Sequence, residues 1–132
     1  MGPETEDPRE VTGMVTVYRA LFWLMLAVAT QQTLTPLPLG VFQSKPDLLL
    51  HFICWASLSF VLFFAIRIRN KYPQRLVLLY LFSVALEFAQ YWVPGRTFDV
   101  RDMVANATGC LVAYGATLLW GRFVSPKVLK QS

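Results

Sequence analysis

Charge is scarce in this chain of 132 residues: only 15% are Asp, Glu, Lys or Arg, against about 25% in an ordinary soluble domain. There is too little polar surface to cover a globule, so a soluble domain is excluded, as is a chain kept disordered by its charge. Histidine occurs once, as His51, and cysteine twice, as Cys54 and Cys110, both within apolar runs. No CxxC pair and no Cys/His ligand spacing exists, which excludes a disulfide scaffold and leaves no sequence pattern for a zinc site. What fills the chain instead is apolar: 55% hydrophobic residues, 14% aromatic and a mean hydropathy of +0.46. The net charge of +4 comes from short basic clusters between apolar runs, a pattern that orients membrane helices rather than one that binds nucleic acid.

A bilayer core about 30 Å thick needs about 20 apolar residues of helix. Four stretches qualify: Thr16–Leu34, Leu48–Ile66, Leu76–Val93 and Met103–Gly121. The first ends at Pro36 and Pro38, which cannot continue a helix. Acidic residues precede it and no small-residue cleavage site follows, so it is expected to be a retained helix rather than a signal peptide. The expected fold is therefore an all-α, four-helix transmembrane bundle over residues 15–122. A disordered acidic tail (1–14) and a basic tail (123–132) flank it. Nine of the twelve Lys and Arg residues fall on the side holding both termini and the loop Arg67–Arg75. The positive-inside rule places that side in the cytoplasm. Lys45, Arg96 and Arg101 remain on the outer side.

Polar residues concentrate at the outward ends of the last three helices. Asp47 and His51 lie one turn apart, as do Asp102 and Asn106, with Gly109 continuing the same face; Glu87, Gln90 and Pro94 share a face of the third helix. An ionisable group within a bilayer costs roughly 2.5–3.5 kcal/mol on insertion scales, so Glu87 must pair, take a proton or line a wet cavity. Each residue also has a purely structural reading. Asp47 would complete a capping box opened by Ser44, Asp99 would cap the fourth helix, and Glu87 would pair with Arg96. A ligand reading stands beside these. The starts of the second and fourth helices, with Arg96 and Arg101, suit a phosphate or carboxylate, although Asp47, Glu87, Asp99 and Asp102 would repel one unless neutralised.

The stretch Glu87-Phe-Ala-Gln90-Tyr-Trp-Val-Pro94-Gly95-Arg96-Thr-Phe-Asp99-Val-Arg-Asp102-Met-Val-Ala-Asn106-Ala-Thr-Gly109 resembles the signature of the VanZ-like family of small membrane proteins. Asp47-Leu-Leu-Leu-His51-Phe52 resembles its second signature. Leu48 stands where that signature often has lysine, and Ala113 where a later glycine is common. The resemblance implies a four-helix protein of the bacterial cytoplasmic membrane, in a family whose founding member is linked to low-level teicoplanin resistance.

Three functions compete at this point. The first is a non-enzymatic envelope protein that binds an anionic lipid or cell-wall precursor through Asp47, His51, Glu87, Gln90, Arg96, Asp99, Arg101, Asp102 and Asn106. Here the arginines hold the anion, and Glu87 and Asp102 hold the arginines. The second is an intramembrane hydrolase or transferase with catalytic candidates His51, Glu87 and Asp102. His51 would be its acid/base group, Asp47 or Glu87 the orienting partner, Arg96 the charge stabiliser, and Ser57 or Cys54 the nucleophile by proximity alone. The third is a carrier in which Glu87 titrates, which at this size would have to be a homo-oligomer. No metal, other cofactor or nucleic-acid partner is expected.

Overall fold

The structure, a computed structural model, describes residues 7–36 and 47–124. Helix α1 runs over Pro8–Leu34, α2 over Asp47–Ala65, α3 over Tyr72–Gln90 and α4 over Val100–Val124, with one 3-10 turn at Arg69–Lys71 before α3. Among the described residues there is no strand. Three of the helices, α1, α2 and α4, are long and apolar enough to cross a membrane. Helix α3 carries Arg75, Ser83, Glu87 and Gln90 and falls outside that set. Its 19 residues nevertheless reach about 28 Å, and it packs against all three others.

Contacts at the helix ends give the topology. Arg19 of α1 reaches the last residue of α2, and Gln90 at the end of α3 reaches Thr33 at the end of α1. His51 near the start of α2 touches Asn106 near the start of α4, and Phe64 meets Trp120 at their far ends. The chain therefore goes up, down, up and down, with α2 parallel to α4 and α1 parallel to α3.

Helices α1, α3 and α4 depart from their expected bounds. Helix α1 begins at Pro8, so residues 8–14 are helical rather than part of a tail. The Asp7 carboxylate accepts the Arg9 N–H at 2.9 Å, and Pro8 at the first helical position lacks the N–H that would need a partner. Helix α3 starts four residues early, with Pro73 in its first turn, and stops at Gln90. The chain then turns through Gly95, whose φ of 78° lies in the left-handed region that glycine adopts without strain. Helix α4 carries on to Val124, so residues 123 and 124 extend it; the rest of the basic tail lies outside the described residues.

The core sits between α2, α3 and α4, around Trp55, Leu58, Leu62, Leu79, Leu86 and Cys110. Ser59 is fully buried there and donates to Cys110 Sγ at 3.3 Å, while the Tyr72 hydroxyl donates to the Ser59 carbonyl at 2.9 Å. Helix α1 is peripheral: Phe22 is its one buried residue. The outer surface is a belt of exposed Trp, Leu, Val and Phe, as a lipid-facing bundle requires. The end of α2 is closed by two arginines. Arg19 Nε donates to the Ala65 carbonyl at 3.0 Å. Arg69 donates to the Phe63 carbonyl with its guanidinium 4.0 Å from the Phe63 ring centre, and burial lowers its pKa from the usual arginine value.

Helices α2 and α4 form the most extensive helix pair, and the approach is closest at Gly109. A Cβ there would fall 2.6 Å from the Phe52 carbonyl oxygen and 2.9 Å from the Ala56 nitrogen. Both are backbone atoms of α2 that cannot swing away, the small-residue packing by which membrane helices associate. Gly115, two turns on, meets nothing within 4 Å. Gly109→Ala should therefore destabilise the bundle by about 1–3 kcal/mol, read as a lower thermal midpoint in detergent. Gly115→Ala should be neutral or stabilising by up to about 1 kcal/mol.

Candidate functional site

Each of the three core helices contributes to one polar cluster. His51 projects from the second turn of α2, Glu87 from the last turn of α3, and Asp102 and Asn106 from the first two turns of α4. The His51 ring nitrogen Nδ1 lies 3.0 Å from Asn106 Oδ1 and 3.5 Å from Glu87 Oε1, and Nε2 lies 3.7 Å from Asp102 Oδ2. With the amide oxygen of Asn106 facing the ring, Nδ1–H is the donor. Asn106 is wholly buried, Glu87 1% and Asp102 6% exposed; the His51 side chain keeps 11% of its surface. The Asn106 Nδ2 group has no hydrogen-bond partner among the described residues.

His51 owes its small exposure to a cavity of about 550 Å³ between α1 and α2. Its long wall is apolar, made by Leu24, Met25, Val28, Leu50 and Trp55, and its polar end holds His51, Gln90 and Arg96 beside the last turn of α1. A larger cavity, of about 1080 Å³, lies at the opposite, basic end, beside Arg19, Arg67, Lys71 and Arg75.

The residues expected to form one site divide into four sets. His51, Glu87, Asp102 and Asn106 come together in the cluster. Gln90 and Arg96 sit beside them on the cavity, but they face α1: Gln90 Nε2 donates to the Thr33 carbonyl at 3.3 Å, and Arg96 donates to the carbonyls of Gln32 and Thr35. The expected Glu87–Arg96 pair does not form, because the turn at Gly95 delivers the guanidinium to the open carbonyls at the end of α1. Asp99 and Arg101 pair with each other at 2.8 Å on the surface; neither hydrogen-bonds to the cluster, though Asp99 feels the charge of His51 and Arg101 that of Asp102. The Asp99 carboxylate caps α4 by accepting the Arg101 N–H at 2.9 Å. The Arg101 side chain, with that backbone bond, holds its pKa below the usual aspartate value. Asp47 opens α2, and its side chain, like Ser44, lies outside the described residues.

Two contributors escaped the sequence reading. The carbonyls of Gln32, Thr33 and Thr35 are backbone acceptors that no side-chain pattern marks, although the polar run Thr30-Gln31-Gln32-Thr33 signalled a helix end there. The apolar wall from α1 has the composition of any lipid-facing stripe. Chemically, the cluster places an imidazole between two buried carboxylates. One ligand atom from each of His51, Glu87 and Asp102 lies within 4.8 Å of the other two, the one such group of His, Cys, Asp and Glu among the described residues.

A family model described as VanZ/LLP1 matches residues 20–121. Neither a curated protein nor a solved structure matches the chain. The matched span holds the whole cluster, the Gly109 crossing and the Arg96 turn, and it covers well over half of the sequence: the chain belongs to the VanZ/LLP1 family of membrane proteins.

Proposed function

We propose that this VanZ-like protein binds an anionic amphiphile of the bacterial envelope, a membrane lipid or a cell-wall precursor, in the cavity between α1 and α2. The observation that carries this reading is the cavity's polarity. One space has apolar walls along α1 and α2 and takes in His51, Gln90 and Arg96, which suits a molecule with a hydrocarbon chain and a charged head. Arg96 spends Nε and one terminal nitrogen on α1 carbonyls, and the rest of its planar fork serves the head group. Arg101, committed to Asp99, takes no part, and Glu87 and Asp102 act on His51 rather than on the arginines. The family's link to glycopeptide resistance points to the same compartment, the envelope outside the cytoplasmic membrane.

The polar end of this cavity lies opposite the basic 67–75 loop, so the positive-inside rule makes it the outer end. Reporters inserted at Asn70 and fused after Ser132 should both read as cytoplasmic, whereas one inserted in the turn at Thr97 should read as external. The reverse pattern at Asn70 would turn the cavity toward the cytoplasm and remove the envelope ligand.

Ligand binding is tested on protein extracted in mild detergent, by native mass spectrometry and by lipid analysis of the purified sample. A bound phosphate- or carboxylate-headed lipid should be present. Arg96→Gln should lower its occupancy by about tenfold or more, the cost of one charge-assisted hydrogen bond, and Arg96→Lys should lower it less. Val28→Trp, which fills the apolar wall and leaves every polar group in place, should exclude the lipid as well. Wild-type occupancy in both Arg96→Gln and Val28→Trp would overturn the reading. Head-group release from an added lipid, abolished by His51→Gln, would shift it to the hydrolase or transferase class.

A further inference from the structure

We propose that the larger cavity, at the basic end of the bundle, holds an anionic phospholipid of the leaflet on that side. It is a second lipid site, separate from the one beside His51, and the inference stands without the amphiphile reading.

The two cavities lie on opposite faces of α1. Leu24, Met25 and Val28 line the one beside His51, whereas Trp23, Leu26 and Ala27 line the larger one. Positions two apart on a helix point about 200° from each other, and no residue of α1 borders both spaces. Across the larger cavity stand Leu78, Leu79 and Phe82 of α3, and the end of α2 closes it at Leu62 and Ala65.

Both long walls place a cation first and apolar residues after it. On α1, Arg19 shares a face with Trp23 and Leu26, four and seven residues on; on α3, Arg75 shares one with Leu78, Leu79 and Phe82, three, four and seven residues on. Because α1 and α3 run parallel, the two arginines mark the same end of the groove and the apolar stripes continue side by side into the bilayer. Arg67 and Lys71, from the link between α2 and α3, complete the basic end, so the lining carries four cations and no acid. Among the described residues none of the four forms an ion pair with a carboxylate. Arg19 spends Nε on the Ala65 carbonyl, which fixes its guanidinium where the groove turns apolar. Arg67, Lys71 and Arg75 are exposed.

Length and charge choose the occupant. From Arg19 to Thr30 the α1 wall rises about 16 Å, close to half of a bilayer core about 30 Å thick. That is the depth of lipid chains in one leaflet, whereas a partner helix would need a groove across the whole core. A second copy meeting this face symmetrically would set two groups of four cations against each other. An anionic phospholipid meets both demands: its phosphate lies among the cations and its chains run along Trp23, Leu78 and Phe82. Basic residues beside a membrane helix attract anionic lipid by about fivefold each. The positive-inside rule makes this the cytoplasmic leaflet.

The test uses full-length protein washed free of lipid in mild detergent, with added dioleoylphosphatidylglycerol, read by native mass spectrometry and thermal midpoint. Wild type is compared with Val28→Trp, which blocks the cavity beside His51. Val28→Trp should still bind one phosphatidylglycerol per chain, less tightly as salt rises, and should bind dioleoylphosphatidylcholine weaker by about tenfold or more. Two changes in that background should each lower the phosphatidylglycerol affinity by about tenfold or more. Ala27→Trp fills the groove and leaves every cation in place. Arg67→Gln with Arg75→Gln removes two exposed charges and leaves the apolar walls. Arg67→Lys with Arg75→Lys, which keeps the charge, should retain most of the affinity. Gel-filtration profile and lipid-free melting confirm that each variant is folded. Unchanged affinity in both Ala27→Trp and the double glutamine variant, or equal affinity for phosphatidylcholine, overturns the inference. So does glycerol 3-phosphate binding as tightly as the lipid, which would leave a bare anion site, or a lipid-free dimer broken by Ala27→Trp, which would give the groove to a second copy. Binding lost in Val28→Trp and kept in Ala27→Trp upholds the cavity beside His51 and removes this site; wild-type stoichiometry kept in Val28→Trp and lost in Ala27→Trp does the reverse.

Discussion

The close approach of α4 to α2 at Gly109 is the constraint on which the polar cluster depends. The absent side chain lets the two backbones nearly touch at Phe52 and Ala56. One residue before Phe52 stands His51, and three before Gly109 stands Asn106. The 3.0 Å contact between them is thus a direct result of a backbone crossing one turn away. Were the helices held apart by a methyl group, the imidazole would lose its amide partner. Glu87, reaching across from α3, would then face a ring with no fixed orientation. A packing residue without chemistry of its own sets the geometry of the residues that have it.

Helix ends impose a second, quieter demand. The last carbonyls of a helix have no partner within it, and hydrocarbon offers none. This chain answers with long side chains from elsewhere: Arg19 and Arg69 close α2, and Gln90 and Arg96 close α1. The second pair explains why Arg96 is not beside Glu87. Salt-bridging that carboxylate would have left α1 with open carbonyls at the same membrane depth, while Glu87 has His51 within reach.

The four helices were legible as apolar runs of spanning length, and the end of α1 as a run closed by prolines, whereas the starts of α1 and α3 were not. Asp99 was legible as a cap, since an aspartate before an apolar run has one obvious use. The convergence of Glu87, His51, Asp102 and Asn106 could be read from spacings of three and four that put each on an inward face. What spacing could not supply was the pairing across helices. Glu87–Arg96 and Glu87–His51 are equally good on paper, and only the turn at Gly95 decides between them. A three-helix polar cluster is invisible for the same reason: spacing reports neighbours on one helix, and here the cluster is drawn from three. The early start of α1 rested on Asp7-Pro8, a cap signature submerged in an acidic stretch that reads as disordered.

Helix α1 contributes no residue to the cluster and buries only Phe22, yet it builds one wall of the cavity that opens onto His51. The division of labour separates two properties along the chain. Substitutions on the Leu24–Val28 stripe would reshape the apolar wall, leaving the imidazole and its carboxylates untouched. Substitutions of the cluster residues in α2 to α4 would alter the polar chemistry and leave the α1 wall in place, with Leu50 and Trp55 of α2 facing it across the cavity. A protein built this way can have one wall of its cavity redrawn through its first helix while the polar cluster stays as it is.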